Sequence, residues 1–174
     1  MTYQKYGVEV LYIKSEMEAL LAIMRAHGIR SVLELGVYKG GSAVEFIAVA
    51  QDIVGVDIDT SLAKSYPGTL LKFDSTSEAT ASYISTYGPV HIASYGPYGI
   101  FDMVHIDADH SYAATKRNCE LYAPHCRKIV VFHDINNAEV HRAFVDSLKD
   151  KEHLEIRALG NPQPEWNGVG IVFI

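Results

Sequence analysis

Five short apolar runs, each with an ionisable group at or beside its C-terminal end, constrain this chain more than any other feature. They are "SVLEL", "IVGVDID", "TLLKF" closed by Asp74, "FDMVHI" closed by Asp107, and "KIVVF" closed by His133 and Asp134. A strand with one wet face alternates apolar and polar residues. These runs are nearly continuous, as strands covered on both faces must be.

Helical patterns separate them. Ser15 with Glu18 reads as a capping box, followed by Leu20, Leu21, Ile23 and Met24 at helical spacing and a stop at Gly28 after His27. Ser42 with Glu45 repeats the pattern and opens a helix through Val44, Phe46, Ile47 and Val49. "STSEATASYISTY" is a helix broken at Gly88-Pro89, and "SYAATKRNCELY" one stopped before Pro124. A further helix runs through Val140, Phe144, Val145 and Leu148. Two more strands, "LEIRAL" and "GVGIVFI", flank the turn-rich "GNPQPEWNG". This alternation predicts an α/β fold, a mostly parallel sheet with helices on both faces. "GPVHIASYGPYG" is the one long irregular stretch, readable as a lid, a binding loop or a plain surface loop.

A chain of 174 residues that is 48% hydrophobic predicts one domain over residues 1–174, with a helical lead-in at 1–29 and a core at 30–174. The net charge of −6 and the lack of a basic block argue against nucleic acid or an anionic membrane as the main partner. Cys119 and Cys126 are too few for a disulfide framework and lack metal-ligand spacing, so two reduced thiols are expected. The N-terminus "MTYQKYGVEVLYI" lacks a charged-then-apolar signal design, and no apolar run reaches spanning length. A cytoplasmic protein with no membrane partner is the expectation; a homo-oligomer is compatible with it.

In a doubly wound sheet the ends of all parallel strands share one rim, where ligands bind near the switch in strand order. Glu34, Asp57, Asp74, Asp107 and the pair His133–Asp134 therefore predict a ligand site. In the turn "ELGVYKGGS", Gly36 permits a tight exit from the strand, and Gly40 and Gly41 let a ligand approach the next helix. Asp57, about twenty residues on, is placed to accept hydrogen bonds from a ribose diol. Together they indicate a cofactor containing a nucleoside. The spacing Gly-x-x-x-Gly-Gly differs from the dinucleotide fingerprint, and the acids would repel a pyrophosphate. Both points favour S-adenosylmethionine.

"VLELGVYKGGSA", "IVGVDID", "FDMVHIDADHSY" and "IVVFHDI", in this order, resemble the class I S-adenosylmethionine-dependent methyltransferases. More narrowly, they resemble the small O-methyltransferase-like group that includes macrolide-sugar O-methyltransferases and cephamycin-biosynthesis proteins. The resemblance covers roughly residues 30–174. It implies a Rossmann-like seven-stranded sheet in the order 3-2-1-4-5-7-6, the last strand antiparallel. It also implies O-methylation of a small-molecule acceptor. Cofactor contacts would fall to Glu34, Gly36, Gly40, Gly41 and Ser42, with Asp57 at the ribose and Asp74 and Ser75 near the adenine.

In metal-dependent members of that group, an acid after strand four and an acidic pair after strand five hold a divalent cation, Mg²⁺ or Mn²⁺. By resemblance these positions are Asp107, His133 and Asp134, the histidine being a departure that favours a softer ion. His110 matches a histidine that removes the acceptor's proton in sugar-methylating relatives, a task suited to imidazole. Asp107 and His110 are thus the catalytic candidates. Asp109 is expected to cap the following helix or support the site, and His105 to be packed. Three other readings share parts of the pattern. They are a nicotinamide-dependent oxidoreductase, a non-catalytic nucleoside-binding module and a metal-dependent hydrolase. No tyrosine–lysine pair at helical spacing supports the first, the second has no use for Asp107, and the third none for the glycine turn.

Overall fold

The computed structural model describes residues 3–87, 101–158 and 166–174. The irregular stretch 88–99 and most of the turn at 160–168 lie outside them. Strands β3 (Ser31–Leu35), β4 (Asp52–Asp57), β5 (Thr69–Lys72), β6 (Phe101–Ile106), β7 (Cys126–His133), β8 (His153–Ile156) and β9 (Val169–Phe173) form one sheet. Its order is β5-β4-β3-β6-β7-β9-β8, with β9 antiparallel to both neighbours. Renumbered from β3, this is the expected 3-2-1-4-5-7-6.

Alternation along the strands divides the core in two. Leu33, Leu35, Val104, Ile106, Val130 and Phe132 pack on one face with Ile84, Tyr122 and Phe144. The last three come from α3 (Glu78–Tyr87), α4 (Tyr112–Tyr122) and α5 (Ala138–Val145). Val32, Met103, Val131 and Ile171 pack on the other with Met17, Leu20 and Met24 of α1 (Lys14–Ala26) and Phe46 of α2 (Ala43–Phe46). Each large apolar side chain buried this way contributes about 1.5–3 kcal/mol relative to exposure. The second face also carries Glu34, His105 and His133, all buried. Register makes Glu34 and His105 direct cross-strand partners, and His105 pairs with Val131, two residues before His133. A polar seam thus runs across an apolar layer.

The lead-in at 1–29 holds the helix α1 and, ahead of it, a hairpin. Residues Tyr3–Lys5 (β1) and Val8–Val10 (β2) form an antiparallel hairpin. Its turn holds Tyr6 and Gly7 at φ 51° and 79°, the mirror-image turn that suits the twist of two paired strands. Neither capping box forms. α1 begins at Ile13–Lys14, so Ser15 lies inside it, and Ser42 sends its hydroxyl to Glu34 instead. The C-terminal stop does form, with Gly28 at φ 59° and its amide bonded to Arg25 O at 3.1 Å.

Candidate active site

A cavity of about 1260 Å³ opens along the C-terminal rim of the parallel strands. Gly36, Asp57, Asp74, Ser75, Asp107, His110, His133 and Asp134 all line it, as do Tyr12, Tyr38, Arg117 and Trp166. Glu34, Gly40, Gly41 and Ser42 are not among its described lining residues.

The glycines explain that division. A Cβ on Gly36, at φ 86°, would stand 2.0 Å from the Asp107 carbonyl oxygen, so this glycine lets β3 exit against the end of β6. Gly41 faces the hairpin, where a Cβ would lie 2.4 Å from Glu9 O. Gly40 and Gly55 both make room for the Tyr66 ring, at 3.2 and 2.6 Å from a built Cβ. The Tyr66 hydroxyl in turn donates to Glu34 Oε2 at 2.8 Å, while Ser42 donates to Oε1. Gly40, Gly41, Ser42 and Glu34 thus brace the turn from behind. Burial pushes the Glu34 carboxyl up to about 8, against the opposing pull of its two hydroxyl donors.

At the turn itself, Asp57 Oδ2 accepts from the amides of Val37 and Tyr38 at 2.7 and 3.0 Å, and Oδ1 from that of Asp59 at 2.9 Å. The carboxylate is fixed as an acceptor at the cavity wall. Asp74 Oδ1 accepts from Thr76 Oγ1 and N at 2.7 and 2.8 Å, which holds it below the usual carboxylate range. Asp109 makes a similar local turn with the Ser111 amide at 2.8 Å; the helix cap after it is Ser111, whose hydroxyl accepts from Ala114 N.

The opposite end is built across the chain. His110 Nε2 lies 3.0 Å from Asp134 Oδ2 and 3.6 Å from Asp107 Oδ1. His133 Nδ1 lies 3.1 Å from Asp107 Oδ1. Asp134 adopts φ 57°, a strained value for a residue with a Cβ and one that clusters at functional sites. The two neighbouring carboxylates hold the His110 imidazole up at about 10. Burial opposes ionisation of Asp107, but His133 and then His110 hold its carboxyl well below the usual range.

One ligand atom each from Asp107, His110 and Asp134 lies within 4.8 Å of the others. This cluster has His110 where the expected set had His133, whose Nδ1 lies 3.1 Å from Asp107 Oδ1. His110 Nε2 and Asp134 Oδ1 are buried without a hydrogen-bond partner among the described residues, and His110 meets Asp134 as an ion pair through Oδ2. Two carboxylates and an imidazole converging there, with those two atoms lacking hydrogen-bond partners among the described residues, fit a divalent cation of borderline softness.

A family model described as a methyltransferase domain matches residues 33–135, and the chain belongs to that family. Its fold is also that of solved O-methyltransferases. The enzyme from Bacillus cereus in complex with SAH is 15% identical at a TM-score of 0.65, covering 93% of this chain and 81% of that one. TomG from Streptomyces achromogenes, involved in tomaymycin synthesis and solved with SAM, is 15% identical at 0.67, with 94% and 82% covered. MycE, from the mycinamycin pathway and solved with Mg and SAH, is 20% identical at 0.59; 89% of this chain matches 48% of that one. No curated protein matches the chain in sequence.

Sequence reasoning missed Tyr12, Tyr66 and Trp166. The aromatic residues lie far in sequence from the side chains they touch: Tyr66 meets Glu34, Tyr12 meets His105 and His133, and Trp166 meets His110. Only Gly55 inside a strand signalled that a bulky group approaches there.

Proposed function

We propose that this methyltransferase transfers the methyl group of S-adenosylmethionine to a hydroxyl of a small molecule, assisted by a divalent cation. The observation that carries this reading is the convergence of Asp107, His110 and Asp134 at one end of a cavity whose other end is the Gly36–Asp57 turn. S-adenosylmethionine would supply an electrophilic methyl on a sulfonium and leave as S-adenosylhomocysteine, and a bound cation would supply Lewis acidity, so that the acceptor hydroxyl gives up its proton to water.

Asp57 accepts the ribose hydroxyls, and Asp74 with Ser75 borders the adenine. The Gly36 backbone leaves room for the rest of the cofactor between the two ends. Glu34, Gly40, Gly41 and Ser42 act from behind by fixing the shape of the turn. Asp107, His110 and Asp134 hold the cation and orient the acceptor oxygen for in-line attack, so that alignment does most of the work. His110 carries a proton between the two carboxylates at neutral pH, so it would join the ligands by giving up that proton as the cation binds.

Arg117, the lone Lys or Arg among the described lining residues, is engaged by Glu78 at 2.6 Å, which favours acceptors without phosphate groups. No helix of the described residues is long and apolar enough to cross a membrane. Two buried free thiols, Cys119 and Cys126, support a cytoplasmic setting.

Thermal shift with S-adenosylhomocysteine, S-adenosylmethionine and NAD⁺, each with and without Mn²⁺ or Mg²⁺, tests the reading. At 100 times its dissociation constant, S-adenosylhomocysteine stabilises by about 2.7 kcal/mol, roughly 5–10 °C for a chain of this size. A shift with NAD⁺ alone would overturn it.

A further inference from the structure

Beneath the cation-holding end lies a buried assembly that the proposed chemistry does not use. Tyr12, two residues past the hairpin, is 2% exposed and forms part of the cavity wall. Its ring stacks on His133 with centroids 3.8 Å apart and planes inclined by 23°. Its hydroxyl meets His105 Nε2 at 2.5 Å, and His105 is itself wedged edge-on against Phe46 at 5.2 Å. One aromatic side chain therefore touches two histidines on adjacent strands.

The orientation of His133 needs such a restraint. Only one of the two flips of its ring presents Nδ1 to Asp107 Oδ1, at 3.1 Å. Its other nitrogen, Nε2, is buried with no hydrogen-bond partner among the described residues, so no polar contact on that side selects the flip. A ring lying flat against an imidazole blocks the swing out of plane that a flip requires. Burial keeps the Tyr12 ring from following, and the His105 bond adds to that restraint.

We propose that Tyr12 is a positioning residue: it pins the His133 imidazole with Nδ1 toward Asp107 and so aims the Asp107 carboxylate into the cavity. The hairpin delivers it. Glu9 pairs with Lys39 at 2.8 Å, Glu45 with Lys5 at 2.6 Å, and the Gly41 backbone seats against Glu9 O. The segment carrying Tyr12 is thus anchored on the glycine turn and ends at the acids, joining the two halves of the site. The effect on cation affinity rests on the cation-assisted reading; the effect on His133 does not.

Tyr12→Phe keeps the stack and loses the hydroxyl. Tyr12→Leu and Tyr12→Met both remove the ring, the second filling more of the space should the first fail to fold. In the metal-free proteins, long-range ¹H–¹⁵N spectra of the histidine rings report the Nδ1 hydrogen bond of His133. It is expected to persist in wild type and Tyr12→Phe and to be lost or averaged without the ring. Calorimetric titration with Mn²⁺ alone should show a 10–100-fold weakening without the ring, the range seen when a side chain supporting a metal ligand is removed. Tyr12→Phe should rescue it, and S-adenosylhomocysteine affinity should stay unchanged throughout. An unaltered His133 signal with unaltered Mn²⁺ affinity overturns the proposal. So does a parallel fall in S-adenosylhomocysteine affinity and melting temperature, since that marks plain packing. If wild type takes up no Mn²⁺ while the His133 signal still depends on the ring, Tyr12 keeps its role and the cation reading falls.

Discussion

At one end of the cavity, Asp57, Asp59 and Asp74 are held by backbone amides and a hydroxyl of the turns around them. At the other, Asp107 and Asp134 are held by the imidazoles of His110 and His133. Amides cannot leave, so the first group is a set of fixed acceptors suited to neutral hydroxyls. Imidazoles can trade a proton for a cation, so the second group is exchangeable. The two ends use one residue type for different work, and the partner decides which.

The largest effect should come from breaking the exchangeable end. Asp107→Asn is expected to lower methyl transfer by about 10²–10⁴-fold, the scale of losing a group that acts on the reacting proton or its Lewis acid. S-adenosylhomocysteine affinity should barely change. EDTA should silence the wild type, and Mn²⁺, Co²⁺ or Zn²⁺ should restore it at least as well as Mg²⁺. Initial rates on an acceptor found by product mass spectrometry decide it; indifference to both treatments would erase the contrast between the ends.

Next comes the polar seam behind the site. The Glu34 carboxyl is raised from 4.5 to about 8, so the folded state keeps a proton that the unfolded chain releases. Its contribution is complete below pH 4.5, is lost as pH climbs to about 8, and is constant beyond. Chemical denaturation across that window should show wild type losing up to about 5 kcal/mol more than Glu34→Gln. Parallel curves would show that burial does not hold the proton there.

Asp57→Ala probes the fixed end. Removing a charged acceptor should weaken S-adenosylhomocysteine binding by about 1–3 kcal/mol while leaving Mn²⁺ affinity alone, as paired titrations would record. The smallest change belongs to Asp74→Ala. Its carboxylate is largely spent on Thr76, so a loss of about 0.5–1 kcal/mol in the same titration is expected.

The same contrast governs what the sequence makes legible. Continuous apolar runs locate β3, β4, β6, β7 and β9, because burial on both faces leaves a simple pattern; the edge strands β5 and β8 are largely exposed and less plainly marked. Asp57 and Asp74 are legible as a pair because their supports lie in adjoining turns. The hairpin escaped notice, since three-residue strands carry too little alternation to register; Tyr6–Gly7 was its one signal. Ser42 and Glu45 carry a local capping pattern but serve distant partners, Glu34 in one case and Lys5 with Tyr3 in the other. Tertiary contacts outbid the local ones. Likewise the approach of His110 to Asp134 is not visible in the spacing, because the direction of a side chain after a strand ends is set by packing.

Trp166 is the chain's sole tryptophan, and it stands edge-on to His110 with ring centroids 5.3 Å apart at the cavity wall. A protonated imidazole at that distance quenches indole emission by electron transfer. The molecule therefore carries its own optical gauge: whatever draws His110 away or strips its proton should brighten its one indole, excited apart from the tyrosines. Occupancy of the site can be followed by light alone, with no label attached and before any acceptor is known.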